Sequence, residues 1–303
     1  VELLSKKMRN IKAIDCCNIF YAAYSCSIIN KLFIRTNFLQ TTPMHQDILR
    51  SYFCSTIALL FFSLLSPCTA AADIQNTAKP KVAIIYTVTT PQLKTDVESA
   101  LKDELGFGVE LTTCEDASIF KEIAESGYVD RSPAAKYAAT YLDQVKNGAD
   151  AVLSVCSSVA DIAYAMQGTA AFLGVPLIDI NEEMCREAVR KGRKITVAAT
   201  FPSAIGPIGR TLERIAREMG RRVEIQTVLI DGGFGLDKKA FKSLMAKELK
   251  EPAESSDVII FAQSSMAYCA DYIKELYGKE VLSNPKFGAK AVKIALCKKG
   301  LMQ

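Results

Sequence analysis

One short segment occurs twice in this chain, and the copies differ at their most reactive position. The first runs Asp150-Ala151-Val152-Leu153-Ser154-Val155-Cys156-Ser157-Ser158-Val159 and the second Asp257-Val258-Ile259-Ile260-Phe261-Ala262-Gln263-Ser264-Ser265-Met266. Each is an acidic residue, an apolar run of strand length, then X-Ser-Ser ahead of a helix-like stretch. X is Cys156 in one copy and Gln263 in the other. A thiol can act as base or nucleophile, a carboxamide as neither. The duplication restricts the fold to one built from two similar halves, and the mismatch predicts that the halves no longer do the same chemistry.

The surrounding pattern agrees. Apolar runs predict strands over 81–86, 109–113, 151–155 and 175–178, alternating with helical stretches over 91–105, 132–146 and 159–173. Asn181 can cap a helix to Arg190, with Gly192 past its end. The pattern then restarts, with "KVAIIYTVTTPQLKTDVESAL" from Lys81 answered by "KITVAATFPSAIGPIGRTLERI" from Lys194. Strands follow over 194–199, 223–230 and 258–262, and helices over 205–219, 238–249, 266–276 and 285–294. Alternating β and α elements imply parallel sheets covered on both faces. The expected fold is α/β: two doubly wound, Rossmann/flavodoxin-like parallel-sheet domains related by a pseudo-twofold, with the site in the cleft between them. The first domain takes 79–180 plus 284–303, the second 181–283.

Composition narrows the function classes. A net charge of +4 is mild, and basic residues mostly alternate with acidic ones, so no nucleic-acid tract is expected. Near the N-terminus an apolar run over 52–65 follows Arg50 and precedes Ser66-Pro67-Cys68-Thr69-Ala70-Ala71-Ala72. With Met44 as a start, 44–72 reads as a signal peptide, and 1–43 as an upstream or mistranslated extension. The run is short for a membrane span. The protein is therefore expected to be exported, periplasmic or secreted, if the segment is a real signal, and otherwise cytoplasmic; an uncleaved anchor and a plain apolar tail are the other readings of the segment. A lipoprotein reading of Cys68 fits poorly after Pro67.

Of the ten cysteines, Cys114, Cys156, Cys185, Cys269 and Cys297 lie beyond this segment, widely spaced and without a C-x-x-C pair. Neither a zinc cluster nor a dense disulfide scaffold is signalled. The single histidine, His45, falls inside the signal-like segment. That removes Ser-His-Asp and Cys-His catalysis from a mature chain, and with it a thiol hydrolase.

Ligands of open α/β sheets bind beyond the carboxyl ends of the strands. The candidates are therefore residues 87–90, Asp116, Cys156 to Ser158, residues 200–203 and Gln263 to Ser265. Both Ser-Ser pairs would sit at helix N-termini, where hydroxyls and free N–H groups suit a carboxylate and also cap the helix. A thiol there is biased toward thiolate. Against this, Cys156 could be a small buried hydrophobe, Gln263 a buried polar residue serving loop backbone, and Asp116 a turn or cap residue. Gly232-Gly233-Phe234-Gly235 lacks a phosphate-loop frame and reads as a plain loop.

The strings "GADAVLSVCSSVADIA", "GVPLIDINEEMCREAVRKGRKITVAATFPSAIG" and "DVIIFAQSSMA" resemble, in order and spacing, the aspartate/glutamate/hydantoin racemase superfamily, over nearly all of 79–297. They are most similar to a branch with C-S-S in the first half and A-Q-x-S-M in the second. The resemblance implies two facing α/β domains, no cofactor, and often a homodimer. In typical members a cysteine from each half flanks the substrate α-carbon. Cys156 matches the first-half cysteine, and Ser157 and Ser158 the adjacent carboxylate-binding pair. Gln263 stands where the second cysteine would be, with Ser264 and Ser265 beside it. Thr87 and Thr200 match the polar positions after the first strand of each half, and Asp116 an acidic residue after the second strand. Cys269 lies roughly 240° round a helix from Gln263 and should point away from the cleft. Cys114, Cys185 and Cys297 read as structural. Arg186 and Arg210 are conceivable partners for a distal substrate group, or helix-surface residues.

The implied function is cofactor-independent racemase- or isomerase-like α-proton chemistry on a small carboxylate or amino-acid-like ligand, with Cys156 as acid/base. With Gln263 opposite, one-sided chemistry is easier to support than two-thiol racemisation. The alternative is a non-catalytic, exported carboxylate- or amino-acid-binding protein.

Overall fold

The near-continuous apolar strands, such as Lys-Val-Ala-Ile-Ile-Tyr at 81–86, call for burial on both faces. In the computed structural model, which describes residues 79–302, they receive it. The signal-like segment, the extension before it and His45 lie outside the described residues. Strands β1 (Lys81–Tyr86), β2 (Glu110–Glu115), β3 (Ala151–Val155) and β4 (Leu177–Asp179) form one sheet; β5 (Lys194–Ala199), β6 (Glu224–Leu229), β7 (Val258–Phe261) and β8 (Glu280–Ser283) form the other. The orders are β2-β1-β3-β4 and β6-β5-β7-β8, with every pairing parallel.

The helices are α1 (Pro91–Leu105), α2 (Ala117–Ser126), α3 (Arg131–Lys146), α4 (Ala160–Ala165), α5 (Gln167–Leu173), α6 (Glu182–Lys191), α7 (Pro202–Glu218), α8 (Lys238–Glu248), α9 (Lys250–Ser255), α10 (Ala270–Tyr277) and α11 (Asn284–Lys298). Among the described residues no helix is long and apolar enough to cross a membrane.

Even the register repeats. Lys81 lies beside Glu110 and Val82 beside Ala151; Lys194 lies beside Glu224 and Ile195 beside Val258. The duplicated acidic residue explains part of this. Asp150 Oδ2 accepts from the backbone N–H of Lys81 at 2.9 Å, and Asp257 Oδ2 accepts from Arg193 and Lys194 at 2.8 Å each. Each carboxylate thus ties the start of its half's first strand to the start of the third, at the end of the sheet away from Cys156 and Gln263.

Each sheet is sandwiched between two apolar clusters. The chain crosses between halves to build them. In α11, Ala289, Val292 and Leu296 complete the first-half core with Val82, Ile84 and Leu153, while Met184, Cys185 and Val189 of α6 enter the second-half core with Val197 and Ile260. Each fully buried aliphatic side chain contributes roughly 1.5–3 kcal/mol. The halves also meet through polar contacts from α4 to α7. Arg210 Nε donates to both oxygens of Asp161 at 3.1 Å, and the Arg214 guanidinium stands 4.2 Å from the Tyr164 ring centre. Arg210 is thereby engaged between halves, and Arg186 pairs with Glu182, Glu183 and Glu218.

Several elements differ from the sequence expectation. The stretch over 159–173 is a 3-10 turn (Ser157–Val159) followed by two short helices broken at Met166, and 264–269 is likewise a 3-10 turn ahead of α10. Helix α7 begins at Pro202, three residues early, because proline at the first helical turn forfeits no intrahelical hydrogen bond. Helices α2 and α9 and strand β8 were not expected. They are short, and β8 is a four-residue edge strand opening on Glu280, too brief to show a period. Asn181 precedes α6 but makes no side-chain cap, since its amide is used elsewhere.

Candidate functional site in the cleft

In each sheet the strand order reverses beside the first strand: β1 leads outward to β2 on one side and β3 lies on the other, as β5 does with β6 and β7. Such reversals open a crevice at the carboxyl ends of the strands. Thr87 and Cys156 follow β1 and β3; Thr200 and Gln263 follow β5 and β7. The two crevices face each other. Cys156, Ser157 and Ser158 from one half and Gln263, Ser264 and Ser265 from the other line a single chamber of about 30 Å³, which holds roughly one water molecule. Thr87 and Thr200 are buried beside it, 1% and 7% exposed, and Thr200 also borders a neighbouring chamber of about 260 Å³. Asp116 is not part of the lining. Its carboxylate caps α2, accepting from the Ser118 N–H at 3.0 Å and from the Ser118 hydroxyl at 2.7 Å.

Burial pushes the Cys156 thiol above its ordinary pKa. The Thr87 hydroxyl and the N–H groups of Ser158 and Val159 pull it down, and Asp179 raises it further. The strand-end position biases this thiol toward thiolate, and the backbone donors that would favour one are present, but desolvation outweighs them and the net shift is upward. Across the chamber, Gln263 Oε1 accepts from the Thr200 N–H at 3.0 Å, while its Nε2 has no partner. The Thr200 hydroxyl is likewise buried without a hydrogen-bond partner. Two such groups beside one chamber are unusual, because buried polar atoms are nearly always satisfied.

The serines divide their work. Ser157 donates to the carbonyl of Ala262 in the other half, and Ser264 donates to Asn284 Oδ1 at 2.7 Å. Asp179 Oδ1 accepts from the Asn181 N–H at 3.1 Å and from Nδ2 at 2.8 Å, which turns Asn181 Oδ1 toward Asn284 Nδ2 at 2.6 Å. The result is a buried polar seam beneath the chamber, with both asparagines fully buried. Burial raises the Asp179 carboxyl to about 6, against the lowering effect of the Asn181 donors. The Ser158 hydroxyl instead reaches Ser203 of the second half at 2.9 Å. Ser157 and Ser264 therefore edge the chamber while their hydroxyls hold the halves together.

Sequence reasoning missed the chamber's apolar wall. Phe201 lies between Phe120 and Phe234, with ring centres 4.8 Å away on each side. Phe234 arrives on the glycine-rich loop read as plain; Gly232 and Gly235 on either side take left-handed φ values of 67° and 88°, which glycine allows without strain. A lone aromatic between such glycines was the available signal. Cys269 is fully buried in the second-half core, its thiol pushed up to about 11 chiefly by burial, and it does not line the chamber. Among the described residues no group of three or more His, Cys, Asp or Glu is placed to hold a metal ion.

No protein-family model and no curated protein matches the chain. Solved structures do. A glutamate racemase isoform from Bacillus anthracis superposes with a TM-score of 0.59 at 16% identity, covering 75% of this chain and 84% of that one. A glutamate racemase from Francisella tularensis, solved in complex with D-glutamate, gives 0.56 at 14% identity over 74% and 83%. An allantoin racemase from Klebsiella pneumoniae gives 0.50 at 17% identity over 74% and 89%. At these identities the likeness is one of fold: two facing α/β halves, arranged as in these racemases.

Proposed function

We propose that this chain is a cofactor-independent, racemase- or isomerase-type enzyme of the aspartate/glutamate/hydantoin racemase superfamily, doing α-proton chemistry on a small carboxylate with Cys156 as its acid/base. The observation that carries this reading is the meeting of Cys156 and Gln263, from opposite halves, in one chamber. The fold shared with the glutamate racemases supports it, as does the small amino acid bound in the Francisella structure.

The chemistry follows from the groups present. A carboxylate held by the Gln263 amide and the neighbouring hydroxyls has its enediolate form stabilised, which acidifies the α-carbon. Cys156 then works from one face. As thiolate it takes the α-proton, leaving the C–H electron pair in the enediolate and becoming S–H. As thiol it returns a proton to carbon, and the enediolate pair forms the new C–H bond. Burial raises the Cys156 pKa, which favours the donating direction. Gln263 can neither take nor give that proton, so the products of one-face chemistry, isomerisation or protonation after decarboxylation, are favoured over racemisation. Racemisation would need water on the second face.

Incubation with a panel of amino and dicarboxylic acids in D2O tests the reading. Deuterium at the α-carbon of at least one acid is the expected result; no exchange with any would overturn it. A second reading, a non-catalytic carboxylate-binding protein, draws on the locking of Gln263 to Thr200 and predicts ligand-induced thermal stabilisation without exchange. Export, proposed from the 44–72 segment, is checked by cell fractionation and by N-terminal sequencing of the mature chain.

A further inference from the structure

We infer that Cys156 exchanges its proton with solvent from behind, through the first sheet's outer layer, along a path of three side chains: Tyr137, Ser154 and Asp179. The path rests on the function just proposed and reloads the thiol that its one-face chemistry uses. None of the three residues touches a ligand; each acts through the thiol.

Strand alternation assembles the path. Successive residues of a strand point to opposite faces, so Val152, Ser154 and Cys156 share one face of the sheet. Val152 and Cys156 pack there with Tyr137 of α3, while Ala151, Leu153 and Val155 pack in the cluster on the other face. Asp179 on β4 stands in register with Ser154, and Leu177, two residues before it, belongs to the same cluster as Cys156. Neighbouring strands run about 4.8 Å apart, which sets the Ser154 hydroxyl and the Asp179 carboxyl side by side. Tyr137 covers them and is fully buried. Burial raises its phenol, the Ser154 hydroxyl lowers it as a hydrogen-bonding neighbour, and Asp179 and Cys156 raise it further, so the phenol stands among all three. Neither hydroxyl has another partner among the described residues.

The outer end of the path opens to solvent. Asp179 lines a cavity of about 460 Å³ with Gln167, Glu182 and Lys298, and Gln167 and Lys298 are exposed at its rim. Behind Gln263 the path is interrupted. Phe261, fully buried, takes the place of Ser154, and Ser283 the place of Asp179. The polar file therefore stands only behind the half that carries the thiol.

The transfers balance. Once the thiol has given its proton to carbon, the thiolate takes the Tyr137 proton, Tyr137 takes that of Ser154, Ser154 that of Asp179, and the Asp179 carboxylate one from solvent. Each hydroxyl accepts on a lone pair while giving its own proton. Burial of the phenol requires these shifts to occur together, with no free phenolate. The reverse order discharges the thiol after it has taken a substrate proton.

Infrared spectroscopy of the full chain transferred to D2O follows the S–H stretch of Cys156, identified as the band lost in Cys156→Ser. Tyr137→Phe, Ser154→Ala and Asp179→Asn should each slow its exchange by about tenfold or more. Ser283→Ala, at the matching position of the second half, should leave it unchanged. A merely structural role would act in the opposite sense, since loosened packing speeds exchange. Parent-like or faster rates in all three variants overturn the inference and route the proton through the front chamber. In turnover, an α-deuterated acid should keep more of its label in Tyr137→Phe than in the parent, by return from the thiol. The failures of the two readings are distinct. Exchange of an α-proton that needs Cys156, with S–H exchange unslowed in the variants, keeps the enzyme and removes the path. Slowed S–H exchange without turnover of any acid does the reverse.

Discussion

In the first half Thr87 and Cys156 follow β1 and β3; in the second Thr200 and Gln263 follow β5 and β7. Around those four residues the halves agree in strand order, in register, in the acidic residue at the foot of the third strand, and in a serine given to the seam. They part at the side chains that face the chamber. The framework positions satisfy backbone N–H and C=O groups that any copy of this fold must satisfy, so both copies keep them. Cys156 and Gln263 carry no such obligation except the one contact from Gln263 Oε1 to Thr200. Reactivity is the part of the repeat that structure leaves free.

Breaking the reactive side should have the largest effect. Cys156→Ser is expected to lower α-proton exchange by ~10³-fold, within the usual range for losing a positioned acid/base, with the unfolding midpoint little changed. Residual exchange near the original rate would mean that another group moves the proton. Gln263→Cys sharpens the comparison by making the halves alike. Chiral analysis of product should then show both enantiomers exchanging, where the parent protein labels from one face; an unchanged stereochemical outcome would show that the second face is closed for reasons other than the missing thiol.

Next in size is a difference in titration between the halves. Asp179 is paired in register with Ser154, and the matching position of the second half, opposite Phe261, is Ser283. Only the first half thus buries a carboxyl in the seam. Its folded pKa of about 6 stands above the ordinary unfolded value near 3.9. The native state therefore keeps the proton over a window in which the unfolded chain has lost it. Stability falls as pH rises from about 4 to about 6, by on the order of 3 kcal/mol, and is flat above. Asp179→Asn can still accept from Asn181 and carries no charge. It should abolish that slope and raise stability at pH 7, as read from urea midpoints across pH 3 to 8. A slope that survives the substitution would place the titration elsewhere.

The seam itself comes third. Asn181→Ala and Asn284→Ala each strand buried partners and should cost about 1–3 kcal/mol. Because the two amides bond to each other, the double variant should cost less than the sum, by roughly 0.5–3 kcal/mol in a double-mutant cycle. Strict additivity would show that the 2.6 Å contact does not couple the halves.

What the sequence made legible, and what it hid, divides along the same lines. The duplicated segment, the apolar strands and the restart at Lys194 are local patterns, and they were enough for the two-half α/β fold and for bringing Cys156 and Gln263 to strand ends. The chamber's apolar wall was hidden because its rings come from an unexpected helix, a strand-end residue and a loop, which no periodicity links. Asp179, Asn181 and Asn284 were hidden as a network for a related reason. Their amides and carboxyl meet across 105 residues of chain, and the cap expected of Asn181 was only one of the bonds its side chain could make. The bias toward thiolate expected at Cys156 is opposed by burial, because a one-dimensional pattern shows the backbone donors and not the depth that raises the thiol's pKa.

The smallest predicted effect lies at the shared foot of the halves. Asp257 accepts two backbone N–H bonds, from Arg193 and Lys194, where Asp150 accepts one, from Lys81, although Lys299 stands 3.7 Å from Asp150 Oδ1. The Lys194 and Arg193 donors, in that order, hold the Asp257 carboxyl below its ordinary pKa. A folded pKa below the unfolded one gives stability that is complete above the unfolded value and is lost as pH falls through the folded value. Asp257→Ala should therefore lower the urea midpoint at pH 7 slightly more than Asp150→Ala does, and the gap between Asp257→Ala and the parent should close as the medium is acidified below the ordinary carboxylate range. Both sites are accessible to solvent, which screens charge and keeps the effects modest. Equal midpoints for the two variants, or a gap insensitive to acid, would mean that the second backbone bond of Asp257 adds nothing and that the repeat is as symmetric in energy at its foot as it is in register.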